Sequence, residues 1–183
     1  MFLIFDVESD PTLIAAVALG LWQYKVHIKA DEHVYSILSS VISSHNSHLF
    51  QYLELANPID FETEFNDLII AMKMSYSMTS AIEEINTLGS HHTDCIITSS
   101  KLKADAFTSL VDSAGVYWNA STRFADGYRY GFGAEIGVST SKIHARGPVG
   151  IDGLLSYKYK LVGHGHKVSD YMKGQKSYRH LPL

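Results

Sequence analysis

The chain has 183 residues, 46% hydrophobic and 19% charged, with a formal net charge of −4 and a pI near 6.2. That suits one globular domain, or a domain with a small appendage. The acidic balance leaves no basic footprint for nucleic acid, and a single cysteine excludes an internal disulfide framework and fits a reducing compartment.

Phe2 to Phe5 is a short apolar run suited to a buried strand. Asp10-Pro11 marks a helix start, with Asp10 as N-cap and Pro11 at the first helical position. The helix continues through Leu13 to Leu21. The apolar run to Trp22 is too short to span a bilayer. Asp6, Glu8 and Asp10 precede it where a signal peptide carries positive charge, so neither a targeting nor a membrane segment is read here, and a cytoplasmic setting is expected. Tyr24 to Lys29 alternates as a second strand. Val34, Ile37, Leu38, Val41 and Ile42 have helical spacing within Asp31 to Ser44. Strand, helix, strand, helix predicts a βαβ unit and a parallel sheet, hence an α/β fold.

Ser43 to Phe61 is polar and patternless, with His45, Asn57 and Pro58, and reads as a linker. Leu68 to Met74 is a predicted strand. Ser77 to Leu88 is a predicted helix with Ser77 as N-cap and Gly89 at the C′ position. Cys95 to Thr98 reads as a buried strand. Ser100 to Val111 reads as a helix with Leu102, Ala106, Phe107 and Leu110 inward, and Gly115 to Trp118 as a strand. Leu154 to Val162 alternates loosely, with Leu155, Tyr157, Tyr159 and Leu161 on one face, and reads as an edge strand open to pairing.

Between Val111 and Gly153 lies a stretch dense in glycine, hydroxyls and single charges, without helical or strand period. Long aperiodic segments are functional or disordered. Val116, Tyr117, Trp118, Phe124, Tyr128, Tyr130 and Phe132 give this one too much apolar surface for disorder. An ordered loop system lining a site is expected. Within it, W-N-A-S-T-R-F-A-D-G-Y-R-Y-G-F-G-A-E-I-G-V-S-T-S-K-I-H-A-R-G-P-V-G, residues 118–150, closely resembles the C-terminal part of gamma-glutamyl phosphate reductase. In many eukaryotes that enzyme is the second module of delta-1-pyrroline-5-carboxylate synthetase. S-H-H-T-D at 90–94 resembles the family's S-x-H-T-D turn, and E-F-N-D-L at 64–68 its E-Y-G-D-L stretch. More weakly, F-D-V-E-S-D-P resembles a turn of the cofactor domain and H-I-K-A-D-E-H the strand end that meets the NADP ribose and phosphate there.

The resemblance implies a partial aldehyde dehydrogenase-like fold: a βαβ remnant of the cofactor-binding domain (1–45), a linker (46–63), a catalytic-domain portion with substrate loops (64–153), and a C-terminal oligomerisation strand and tail (154–183). It implies an internally shortened chain, since well over a hundred family residues lie between the two joined parts. The implied function is NADPH-dependent reduction of gamma-glutamyl phosphate to glutamate 5-semialdehyde in proline biosynthesis. The family nucleophile run, resembling P-A-A-C-N-A-M-E-T, is absent here. The alternative is a non-catalytic assembly or binding partner of a full-length synthetase. A homo-oligomer, or pairing with a full-length relative, goes with either. A mitochondrial setting also occurs in the family.

Asn119, Ser121, Thr122 and Arg123 are the first substrate contacts to consider, because a γ-glutamyl group carries an α-carboxylate and an α-amino group. The Arg123 fork suits the carboxylate. The same residues also suit a capped turn with an Arg123–Asp126 ion pair. Arg146 is a second anion contact. Lys29 falls on the family's cofactor lysine, or is a solvated charge at a strand end. Ala30-Asp31 replaces a glycine pair that lets backbone approach a phosphate. Glu64 matches a glutamate that touches the nicotinamide ribose. Cys95 begins an apolar run and reads as a structural thiol, not the nucleophile. Glu135 and His144 are read as cap or surface residues in preference to an acid–base pair. No strong zinc spacing appears among the ten histidines, so no metal is expected.

Overall fold

The computed structural model describes residues 2–42 and 46–180. They fall into two units, Met1–Gly153 and Leu154–Leu183. The first unit begins with strand β1 (Phe2–Asp6), helix α1 (Pro11–Trp22), strand β2 (His27–Ala30) and helix α2 (Glu32–Val41). The Asp10 carboxylate accepts the Thr12 N–H at 2.8 Å and Pro11 opens the helix, as the local sequence requires. Strands β3 (Leu53–Leu55) and β4 (Ile69–Ser75) follow, and the sheet order is β1-β4-β2-β3, every pair parallel.

This order corrects two expectations. The stretch 46–63 carries 3-10 turns at Ser47–Tyr52 and Pro58–Phe61, and between them β3, which pairs with β2. Leu53, buried among the core residues, supplies the apolar anchor that the polar composition around it masked. More consequentially, β4 lies between β1 and β2, with Phe2 opposite Ala71 and Ile28 opposite Ile70. Residues read as a cofactor-domain remnant and residues read as catalytic domain therefore build one sheet. The expected boundary at residue 45 lies outside the described residues.

On one sheet face Ile14, Ala18 and Trp22 of α1 and Val34 and Leu38 of α2 close over Phe5, Ile28, Ala30, Ile70 and Met72. Leu38 is fully buried, and Leu38→Ala would cost about 2–5 kcal/mol, as truncation of a core leucine does. Trp22 also donates its indole N–H to the Tyr52 carbonyl at 3.4 Å.

Helix α3 (Met78–Leu88), strand β5 (Thr93–Ile96), helix α4 (Lys101–Leu110) and strand β6 (Gly115–Trp118) come next. Parallel β5 and β6 form a second sheet. Ile82, Ile85, Phe107 and Val111 make a second core with Phe2, Ile4, Ile96 and Val116. Helix α4 turns Ala104 and Phe107 inward, whereas Leu102 and Leu110, expected inside, are exposed. Ala104, Phe107 and Val111, spaced i, i+3 and i+7, set the buried stripe, which leaves Leu102 opposite it and Leu110 at its margin. Gly89 follows α3 with an extended backbone instead of a left-handed one. Glycine is needed there because a Cβ would stand 2.5 Å from the Ile85 carbonyl oxygen.

The loop stretch contains a short antiparallel hairpin, β7 (Gly137–Ser139) with β8 (Gly147–Val149), that its lack of period had hidden. One helical turn, α5 (Ile151–Leu154), comes after it. In the second unit residues 155–163 carry no helix or strand, and Leu155, Tyr157, Tyr159 and Leu161 are exposed. The expected strand is absent from the single chain, since a lone strand has no ladder partner to satisfy its backbone. Beyond it stands helix α6 (Val168–Met172).

Candidate functional site

The C-terminal ends of β5 and β6 are clasped together by the side chains that follow them. Asn119 has a left-handed φ of 51°. Its amide oxygen accepts the Thr98 N–H and its amide nitrogen donates to the Thr98 carbonyl, both at 2.9 Å. The Trp118 indole N–H donates to the same carbonyl at 2.8 Å. Asn119 is therefore spent on joining two strand ends. Ser121 accepts the Arg123 N–H at 3.3 Å and caps the 3-10 turn Thr122–Phe124.

Arg123 stands differently. Asp126 pairs with Arg129 at 3.4 Å, not with Arg123, and Arg129 donates to the Arg123 carbonyl at 2.7 Å. The Arg123 guanidinium is exposed and has no ion pair among the described residues. Ser121, Thr122 and Arg123 thus sit on one exposed turn just past the carboxyl ends of two parallel strands, where α/β sheets commonly receive ligands.

Arg146 has no free fork. Its Nη1 donates to Asp112 Oδ1 at 3.0 Å, its Nη2 to the Asp112 carbonyl at 3.2 Å and its Nε to the Thr140 carbonyl at 3.1 Å. Lys142 adds a 2.5 Å contact to Asp112. Lys142 first, and Arg146 with it, hold the Asp112 carboxyl below the usual carboxylate range. Arg146 pins the loop to the end of α4, and Asp112, which sequence reasoning passed over, is its hub.

Lys29 lies on β2, 3.1 Å from Asp60 and 3.2 Å from Glu54, with its ammonium 5.8 Å from the Phe65 ring. The bond to Asp60 raises its pKa, and Glu54 adds to this against the effect of burial. Burial pushes Asp60 up, yet the Asn57 N–H and Lys29 outweigh it and leave Asp60 lowered. Asp31 caps α2, accepting Val34 N–H on one oxygen and Met74 N–H on the other, each at 2.8 Å. A cofactor phosphate at Lys29 would displace two carboxylates and meet a third nearby in sequence, so Lys29, Ala30 and Asp31 do not fit NADPH. Glu64 is exposed. Both Asn57-Pro58 ahead of Asp60 and Asp31 ahead of a helix were readable as capping signals.

Cys95 is half-buried on β5 opposite Tyr117, with its thiol against the Ile96 carbonyl at 3.4 Å. Asp94 accepts a 2.5 Å bond from Ser113. Burial raises the Asp94 pKa, while Ser113, His91 and His92 oppose the rise. The Tyr117 and Tyr130 hydroxyls are in contact, and burial first, then that contact, raises the Tyr117 phenol. Glu135 accepts the Gly127 N–H at 2.9 Å, and His144 accepts the Ala145 N–H at 2.8 Å. Among the described residues no group of three or more His, Cys, Asp or Glu is placed to hold a metal, and no helix is long and apolar enough to cross a membrane.

No protein-family model matches the chain. Curated relatives do. It is 64% identical over 121 residues to gamma-glutamyl phosphate reductase of Acetivibrio thermocellus, a match covering 66% of this chain and 28% of that one. It is 47% identical over 169 residues to the probable gamma-glutamyl phosphate reductase of Schizosaccharomyces pombe, covering 91% of this chain and 36% of that one. The crystal structure of the Thermotoga maritima gamma-glutamyl phosphate reductase matches with a TM-score of 0.80 at 35% identity, over 91% of this chain and 37% of the other. The chain thus spans about a third of the length of these relatives, as a shortened portion with their α/β fold. The share of the relative rises in step with the matched length, from 28% at 121 residues to 36% at 169. Skipping a hundred or more residues inside the longer match would break that proportion. The single sheet through β1, β4 and β2 fits a matched stretch that runs without a long internal gap.

Proposed function

The chain belongs to the gamma-glutamyl phosphate reductase family, matching about a third of the length of these relatives, and on that premise we propose that it supplies the loop that holds the glutamyl group. The reaction it serves is NADPH-dependent reduction of gamma-glutamyl phosphate to glutamate 5-semialdehyde in proline biosynthesis. The observation that carries this reading is the uncommitted Arg123 guanidinium on the turn with Ser121 and Thr122. Arg123 takes the α-carboxylate through its fork, and the two hydroxyls accept hydrogen bonds from the α-ammonium. Asn119 and Arg146 act indirectly, by fixing the strand ends and the loop. The cofactor grip and the thiol come from outside these residues, because Lys29 is held by two carboxylates and Cys95 is set against backbone. Alone, the chain does not complete the reaction.

A second reading, a non-catalytic assembly or binding partner of a full-length synthetase, draws on the same commitment of Lys29. Phosphate-dependent NADP⁺ reduction by the purified chain with glutamate semialdehyde, beside Cys95→Ser, tests the first. No turnover is expected in either. Turnover that disappears in Cys95→Ser would make Cys95 a nucleophile and overturn the account of that residue.

A further inference from the structure

The S-H-H-T-D turn at residues 90–94 grips the segment that anchors the loop. Asp112 stands between α4 and β6, just past the extended C-cap Val111. Side chains hold its peptide groups there. The Asn86 amide, on α3, accepts the Asp112 N–H at 2.7 Å and donates to the Leu110 carbonyl at 3.0 Å. The His91 ring nitrogen Nδ1 lies 2.9 Å from the Asp112 carbonyl. A carbonyl only accepts, so Nδ1 carries the proton and donates. One residue on, Ser113 donates to Asp94 at 2.5 Å.

His91 has a left-handed φ of 58°. A residue with a Cβ stays there only where its surroundings fix it, and such positions cluster at functional sites. Here Ala114 donates its N–H to the His91 carbonyl and Gly115 donates to the His92 carbonyl, each at 2.9 Å. The turn thereby aims the His91 ring at Asp112.

Asp112 offers one guanidinium two acceptors, its carboxylate and its carbonyl. Arg146 uses both, Nη1 on the first and Nη2 on the second. A fork needs its acceptors at a fixed separation, so turning the Asp112 peptide breaks one prong. From Arg146 a run of bonds leads back to the Ser121–Arg123 turn. Strand β8 pairs with β7, and the Val149 carbonyl accepts the Ile136 N–H at 2.8 Å. Glu135 accepts the Gly127 N–H at 2.9 Å, and Arg129 donates to the Arg123 carbonyl at 2.7 Å.

We propose that His91 and Asn86 are positioning residues for the glutamyl-holding turn, acting through Asp112 on Arg146 and its loop. The effect at the turn rests on the reading of Ser121–Arg123 as the glutamyl holder. The hold on the loop does not.

Hydrogen exchange across residues 137–149 tests the hold. His91→Gly keeps the left-handed backbone and removes the donor. Asn86→Ala removes the other grip and leaves a good helix former in α3. Each should speed loop exchange about fivefold or more and leave the β1-β4-β2 amides unchanged. His91→Asn should restore the wild-type rates, because asparagine tolerates a left-handed φ and supplies an amide donor. Adding His91→Gly to Arg146→Lys should give no further increase, since both act on one fork. Wild-type loop exchange in His91→Gly and Asn86→Ala, an equal rise throughout the chain, or an additive rise in the double variant overturns the proposal. Binding of L-glutamate γ-methyl ester tests the effect at the turn. His91→Gly should weaken it about threefold or more without a matching change in His91→Asn. Undiminished binding in a variant whose loop exchange has risen overturns the link to the turn. A folded wild-type chain that does not bind the ester overturns the glutamyl reading instead, and loop exchange then still decides whether His91 and Asn86 hold Arg146.

Discussion

The Lys29 ammonium lies 3.1 Å from the buried Asp60 carboxylate, across from Glu54 at 3.2 Å. The lysine that resemblance would assign to a cofactor is a tie between β2 and the turn at Pro58–Phe61. Removing one member of a largely buried pair strands the other. Lys29→Met should therefore cost about 2–3 kcal/mol, whereas Glu54→Gln, at an exposed carboxylate, should cost under about 1 kcal/mol. Urea unfolding of both variants checks the order.

The same pair sets a pH window. Asp60 is lowered in the fold, so its contribution is complete above the unfolded carboxylate pKa of about 4 and is lost as pH falls through the folded value. Lys29 is raised, so its contribution is complete below about 10.4 and is lost as pH rises through its folded value. Lys29→Met should flatten the acid limb of a stability–pH curve between about pH 4 and lower values. An unchanged limb would place the acid-sensitive carboxylate elsewhere.

Asp94 has the opposite sign. Burial raises its pKa, so the folded state binds the proton more tightly and stability falls as pH rises through the folded value. Asp94→Asn keeps an acceptor for Ser113 and removes the buried charge. The variant should melt at or above the wild-type temperature at pH 7 and lose this descending limb.

Asp31 uses both carboxylate oxygens, one on Val34 N–H and one on Met74 N–H. Asparagine has one acceptor oxygen. Asp31→Asn should lose roughly half of the 2–4 kcal/mol, in total about, that Asp31→Ala loses as a cap and an inter-element bond. Equal losses in thermal unfolding would mean that only one of the bonds matters.

Much of the fold was legible because its signals are local. Asp10-Pro11 and Ser77 announced their helices, and the βαβ pattern announced a parallel sheet. The insertion of β4 between β1 and β2 was not legible, because strand order is set by packing between distant segments. Strand β3 was hidden because one buried residue, Leu53, sits among polar neighbours. At the site, the sequence pointed to a turn at Ser121–Arg123 and could not assign the partners of its charges. Asp126 is three residues from both Arg123 and Arg129, and only the path of the backbone decides between them. The fork of Arg146 was equally ambiguous until Asp112 was placed beside it.

Arg123 and Arg146 should therefore separate cleanly. Arg146→Lys keeps the charge and loses the three-way fork. It should speed hydrogen exchange across residues 137–149 and lower the melting temperature. Arg123→Ala, at an exposed and unpaired side chain, should leave both unchanged.

The most direct measurement is a calorimetric titration of the chain with L-glutamate γ-methyl ester, a stand-in for the γ-acyl group that keeps both α groups. Wild-type chain should bind at about the millimolar level, roughly −4 kcal/mol, and Arg123→Ala should weaken binding at least tenfold without a change in melting. Binding of equal strength in the two, or no binding to a folded wild-type chain, would contradict the assignment of the Ser121–Arg123 turn as the glutamyl-holding site.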